Sequence, residues 1–213
     1  MSKYHKLLEK KFYNDSTLKL ILEKKDMNYL PGQIFSVGVK GELINREYSS
    51  YNSPNDENLE FLIKLVENGS FSKILDNVDL KDEFLVHGPY GQFTYDSSSK
   101  YPLFLCSGTG IAPFRSFIKS YNLENYRILH GIRYVNEMYD LVDYKKDSYI
   151  PCISREKDNL YFSGRVTDYL QNLNLSEHDS FYICGNSAMI SDSYNILKSK
   201  NIVSSNIYTE SFF

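Results

Sequence analysis

Between residues 17 and 86 the apolar positions come in short alternating runs, 17–23, 33–39, 46–50, 59–66 and 83–86. Alternation puts every second side chain on one face, so each run predicts a strand with one face turned to a core. Turn-forming residues separate them at Pro31-Gly32, Lys40-Gly41, Asn52-Ser53-Pro54 and Asn68-Gly69, a spacing that predicts an antiparallel barrel. One short helix, 72–77, is expected within it, with Ser72 as its cap. After Ser97-Ser98-Ser99 the pattern changes. Continuous apolar runs at 103–106, 126–130, 148–153 and 180–184 alternate with helical stretches at 112–121, 165–173 and 187–200, which predicts an α/β domain with a parallel sheet. The expected organisation is thus a β-barrel domain over 1–97 and an α/β domain over 98–213, with a ligand site in the cleft between them.

Composition narrows the function. With 213 residues, 42% of them apolar, the chain can bury real cores, and a formal charge of -3 leaves no broad basic face for nucleic acid. A local basic patch is encoded at the amino end by Lys3, Lys6, Lys10, Lys11, Lys19, Lys24 and Lys25, which suits either a docking role or a solvated surface. Cys106, Cys152 and Cys184 lie far apart without a C-x-x-C pair, so neither a disulfide framework nor a cysteine-held cluster is expected. His5, His87, His130 and His178 show no metal-ligand spacing, and no metal is expected. No apolar stretch reaches the roughly 20 residues of a membrane span, and the first residues lack a signal-peptide core. A cytoplasmic protein without membrane attachment is the expectation.

Four segments carry chemistry. In Arg46-Glu47-Tyr48-Ser49 the strand period places a cation and an aromatic ring on one face, suited to a phosphate and a planar ring, although such pairs are often structural. Gly69-Ser70-Phe71-Ser72 opens the short helix, whose free N–H groups favour an anion, a plain cap being the alternative. The residues from Gly88 to Phe93 read as a turn ending the barrel. The stretch from Leu103 to Pro113 runs from an apolar strand through Ser107-Gly108-Thr109-Gly110 into a helix, a turn that lets backbone N–H groups meet a diphosphate. It has neither the G-x-G-x-x-G spacing nor the lysine of a P-loop. Cys184-Gly185 ends the last apolar strand, beside the first glycine turn in a parallel sheet; a nicotinamide contact and a buried structural thiol both fit Cys184.

In this order the four segments resemble the ferredoxin-NADP reductase family, especially its compact bacterial ferredoxin or flavodoxin reductases, over about Pro31 to Phe213. The resemblance implies that Arg46 pairs with the FAD diphosphate, Tyr48 stacks on the isoalloxazine, Ser49 and Ser50 lie beside it, and Gly69, Ser70, Phe71 and Ser72 hold the diphosphate. It assigns Thr109, Gly110, Cys184 and Gly185 to the nicotinamide dinucleotide, and Arg133, Ser154, Arg155 and Arg165 to a 2′-phosphate, favouring NADP(H). Phe212 or Phe213 would cover the flavin, with Ser49, Cys184 and Glu210 around the reacting atoms. The implied activity is hydride transfer between NADP(H) and FAD, with single electrons passing to or from a separate ferredoxin or flavodoxin, by a monomer. Alternatives on the same scaffold are an oxygenase reductase component or a free-flavin reductase. From another class, a non-catalytic flavin-binding redox sensor remains open.

Overall fold

The computed structural model describes residues 3–212. The chain divides into two compact units, one holding the residues up to Thr94 together with Ala112–Tyr121, the other Tyr95–Ile111 and the residues from Asn122 onward.

The first unit contains β1 (Lys3–Asn14), β2 (Thr17–Glu23), β3 (Ile34–Val39), β4 (Asn45–Ser49), β5 (Asn58–Lys64), helix α1 (Ser70–Asn77) and β6 (Glu83–Tyr90). Its sheet runs β4-β3-β6-β1-β2-β5, with every pairing antiparallel. The sheet curls until its edges meet, because Tyr51, just past β4, donates its N–H to Glu60 O on β5 at 2.9 Å. Leu18, Leu20, Leu22, Phe35, Val37, Phe61, Phe84 and Val86 fill the interior, and removing their apolar surface from water is what drives closure. The longest strand, β1, was not among the expected ones. Bulges after Leu7 and Phe12 break its alternation, and an extra residue in a strand shifts all later side chains to the other face. The lysines there are partly absorbed by the fold: Lys10 Nζ donates to the carbonyls of Leu75, Asp76 and Val78 at the end of α1. The expected turn at 88–93 is in part strand, since β6 continues to Tyr90.

The second unit contains β7 (Pro102–Ser107), a 3₁₀ turn (Gly108–Ile111), β8 (Arg127–Ile132), β9 (Tyr149–Ile153), β10 (Phe162–Ser163), α3 (Val166–Asn172), β11 (Ser180–Gly185), α4 (Ser187–Ser199) and β12 (Ile207–Ser211). Its sheet is parallel throughout, in the order β10-β9-β8-β7-β11-β12. Both faces are covered, which explains the unbroken apolar runs. Leu103, Leu105, Leu129 and Ile183 lie in one core with Val166, Leu170 and Leu197. Tyr182 stacks on Tyr208 at 4.6 Å and on Tyr95 at 5.9 Å. From β7 the chain moves outward through β8, β9 and β10, then returns to place β11 on the other side of β7. That reversal is a topological switch point, where connections diverge and leave a crevice at the carboxyl ends of the strands.

Helix α2 (Ala112–Tyr121) follows the 3₁₀ turn yet packs with the barrel. Phe114 and Phe117 meet Phe93 at 6.1 and 6.0 Å. Gly32, at φ +87°, lets the barrel backbone approach, since a Cβ there would lie 2.5 Å from Phe117. The sequence division at 97/98 places this helix in the second half, whereas its apolar face finds its partners in the first. Among the described residues no helix is long and apolar enough to cross a membrane.

Candidate functional site

In the barrel, strand alternation does what the R-x-Y-S spacing predicts. Arg46 and Tyr48 pair with Val37 and Phe35 of β3, two residues apart and hence on one face. Arg46 is exposed, and its guanidinium donates to Asn45 O at 2.8 Å. Tyr48 is half-buried, its ring 6.2 Å from Phe71 and 6.4 Å from Phe61. Burial raises the Tyr48 hydroxyl well above the ordinary phenol value, with Arg46 opposing weakly, so the ring stays neutral. The contact with Phe71 brings the β4 strand against the Gly69–Ser72 turn. Ser49 and Ser50 are buried, and Ser50 Oγ lies 3.3 Å from Ser116 Oγ. The start of α1 corrects one expectation. Gly69, not Ser72, is the N-cap, and no side chain caps the helix. Ser72 Oγ instead accepts the Val66 N–H at 2.8 Å, which holds the turn from behind and leaves Ser70 exposed at the helix start.

In the second unit both glycine turns fall at the carboxyl ends of β7 and β11, on the switch point. Gly110 sits so close to the other turn that a Cβ would lie 2.4 Å from Cys184 O. Gly185, at φ +136°, leaves no more room, since its Cβ would lie 2.4 Å from Ser107 Oγ. Ser107 Oγ accepts the Asn186 N–H at 3.0 Å, tying the first turn to the start of α4. Cys184 is fully buried, and burial pushes its thiol well up, assisted by the Glu210 charge. It is therefore a neutral, compact side chain rather than a nucleophile. Glu210 pairs with Cys184 across β11 and β12. Phe212 donates its N–H to Gly185 O at 3.0 Å, which holds the carboxyl end of the chain at the same turn. Phe213 lies outside the described residues. Thr109 is half-buried between the two glycines.

The next carboxyl ends carry the arginines. Arg133 follows β8, Arg155 follows β9 and Arg165 follows β10, and all three are exposed. Arg155 N–H donates to Arg133 O at 3.0 Å, and Ser154 donates to Ile132 O through both its N–H and its hydroxyl. The nearby acids are engaged with backbone: Glu137 accepts Arg133 N–H, Glu156 accepts Val135 N–H and Asp168 accepts Arg165 N–H. Among the described residues no carboxylate pairs with the Arg133, Arg155 or Arg165 guanidinium.

Two supports were not anticipated from the sequence. Arg115, 4% exposed, donates to Tyr51 O at 2.8 Å and to Glu60 Oε2 at 2.9 Å, with its guanidinium 4.2 Å above the Tyr51 ring. Ser116 Oγ donates to Asn52 O at 2.7 Å. Both brace the chain just past Ser49 and Ser50, and an arginine inside the apolar run 111–118 was the signal for them. The second support is His130, whose Nε2 lies 2.8 Å from Gly108 O. Among the described residues no group of three metal-ligating side chains gathers.

Known proteins match both units. Residues 7–95 fit the model of an oxidoreductase FAD-binding domain, and residues 104–194 that of an oxidoreductase NAD-binding domain. A flavodoxin/ferredoxin-NADP reductase of Buchnera aphidicola subsp. Schizaphis graminum is 32% identical, over 89% of this chain and 80% of the relative. The 2-halobenzoate 1,2-dioxygenase electron transfer component of Burkholderia cepacia is 28% identical, over 93% of this chain and 64% of its own. The same fold occurs in a ferredoxin NADP+ reductase from Neisseria gonorrhoeae with bound FAD and NADP, at a TM-score of 0.89 and 21% identity, covering 100% and 99% of the two chains.

Proposed function

Because this chain belongs to the flavodoxin/ferredoxin-NADP reductase family, we propose that it passes a hydride between NADP(H) and FAD and exchanges single electrons with a separate ferredoxin or flavodoxin. It is an oxidoreductase with an FAD-binding and a nicotinamide-dinucleotide-binding domain. The observation that carries the finer reading is the row at the carboxyl ends of the parallel sheet: two apposed glycine turns at the switch point, then Arg133, Arg155 and Arg165 without carboxylate partners. A 2′-phosphate asks for such cations, since guanidinium forks bind phosphate oxygens bidentately. The barrel residues fit FAD in the same way. Arg46, whose guanidinium bonds only to the Asn45 carbonyl among the described residues, is available to a diphosphate, and the neutral Tyr48 ring offers a stacking face.

Bound FAD would supply the centre that takes up an electron pair and releases it singly. The chain's own groups bind and orient. Neither the Tyr48 hydroxyl nor the Cys184 thiol ionises near neutral pH, because burial raises both. They therefore work as shape and dipole, excluding water, and no acid–base step is assigned to them. Ser49 offers one buried hydroxyl on the same strand. Three buried free cysteines support a cytoplasmic location. A monomer suffices, since both domains lie in one chain. The likeness to a dioxygenase electron transfer component supports a second reading, in which the separate partner is an oxygenase component.

The test is anaerobic mixing of the FAD-loaded protein with NADPH, and separately with NADH, while the flavin band is followed, and then addition of ferredoxin, flavodoxin or an oxygenase component. Fast bleaching by NADPH and slow bleaching by NADH are expected. Replacing Arg133, Arg155 and Arg165 together with serine should remove most of that preference, on the order of a hundredfold in efficiency with NADPH. Equal rates with both nucleotides would refute the arginine assignment, and a chain that takes up no flavin would refute the whole reading.

A further inference from the structure

We propose that His130 is a positioning residue for the nicotinamide dinucleotide: its Nε2–H holds the Gly108 carbonyl and so sets the shape of the turn from Ser107 to Gly110. The inference rests on the reading of that turn as the dinucleotide site.

His130 is fully buried on β8, in register with Cys106 of β7, whose strand leads directly into the turn. A neutral imidazole has one N–H donor and one acceptor nitrogen, whereas a backbone carbonyl can only accept. The 2.8 Å contact between Nε2 and Gly108 O therefore puts the proton on Nε2. Nδ1 is then the acceptor, and it lies 2.6 Å from Tyr149 Oη, whose hydroxyl donates to it. Tyr149, on β9, is held in turn by stacking on Tyr144 at 5.3 Å and 13° between planes. A hydrogen bond at one ring nitrogen selects the tautomer at the other, so Tyr149 fixes the proton where Gly108 needs it. Tyr139, on the segment after β8, lies 6.1 Å from the ring, Glu137 on the same segment acts on it through its charge, and Cys106 is its register partner on β7.

The turn is thereby pinned twice. Gly110 is held by close packing on Cys184, but a Cβ at Gly108 would meet nothing within 4 Å. Side-chain packing does not restrain Gly108, which opens the 3₁₀ turn at a φ of +53°, a left-handed value that a glycine takes readily. The His130 bond adds a restraint from outside the turn to the turn's own backbone hydrogen bonds. Because the peptide unit is planar and trans, directing the Gly108 carbonyl at the imidazole directs Thr109 N–H the opposite way. The donor that a diphosphate would use is set in place before binding, and the ordering cost at binding falls.

The experiment compares wild type, His130→Ala, His130→Gln and Tyr149→Phe, each FAD-loaded, by anaerobic flavin reduction across NADPH concentrations, with histidine nitrogen NMR on the nucleotide-free proteins. His130→Ala should raise the half-saturating NADPH concentration about tenfold, the scale of one lost hydrogen bond, with flavin content and limiting rate little changed. His130→Gln, whose amide N–H can reach the same carbonyl, should recover most of that loss. Tyr149→Phe should fall between, and the wild-type spectrum should show the Nε2–H tautomer. Equal impairment by Ala and Gln would mean a packing role and overturn the proposal, as would an unaffected Ala variant. If His130→Ala does not fold, an Nδ1–H tautomer or an impaired Gln variant overturns it, and the Nε2–H tautomer with an active Gln variant supports it. A wild-type flavoprotein that no nucleotide reduces would overturn the function reading itself, an outcome distinct from a reducible wild type with an unaffected Ala variant.

Discussion

At the scale of single residues, burial decides which groups can carry charge. His130 is pushed down to about 4 from an ordinary 6.5 by burial, against the opposing pull of the Gly108 carbonyl and the Glu137 charge. Its neighbours Cys106 and Tyr149 are raised by burial and stay neutral. The unfolded chain therefore takes up this proton at a higher pH than the folded one. Stability is full above pH about 6.5 and is lost as pH falls toward 4, by at most about 3 kcal/mol from this residue. His178 is lowered for the same first reason and adds in the same direction. The depressed carboxyls Asp96 and Asp179 act in a more acid window, below their unfolded values near 4. Urea midpoints at pH 7.5 and pH 5 should thus differ clearly in wild type and less in His130→Gln; parallel curves would show that His130 does not govern this window. The R-x-Y-S strand and the glycine turns after apolar runs were legible because their signals are local. His130 and Arg115 were not, because their partners lie 22 and 55 residues away.

At the scale of elements, α2 shows how a buried ion pair couples a helix to a strand. Arg115 on α2 and Glu60 on β5 pair at 2.9 Å with side chains only 5% and 13% exposed, while Lys19 stands 3.8 Å from the same carboxylate. Removing one partner of such a pair strands the other's charge away from water. Arg115→Ala is expected to cost about 3 kcal/mol in urea unfolding and to weaken FAD retention, because the backbone just past Ser49 and Ser50 loses its brace. A loss below about 1 kcal/mol would mean that water or Lys19 compensates. The strands from β2 to β6 and helices α2, α3 and α4 were legible from period and punctuation alone. Strand β1 was hidden by its bulges. The short β10 and the edge strand β12 were missed too; β12 is only half-buried, so its apolar pattern is weak. The cap of α1 was misplaced on Ser72, since a serine near a helix start can equally accept from the chain behind it.

At the scale of the whole molecule, each unit has its own core, so each ligand should stabilise its own unit. Hydrogen exchange with FAD alone should protect β4, α1 and α2, while NADP+ alone should protect the turns after β7 and β11. Uniform protection by either ligand would contradict that division. Local grammar determined a great deal here. Alternation and turn residues specify an antiparallel barrel, and two-sided apolar runs specify a parallel sheet, because each records which faces of a strand meet water. Motif spacing likewise placed the two glycine turns at strand ends. Only the folded chain decided that α2 packs on the barrel and that a buried histidine grips the first turn. Those are pairings between distant segments, chosen by which surfaces exclude water best together, and no short stretch of sequence contains both partners.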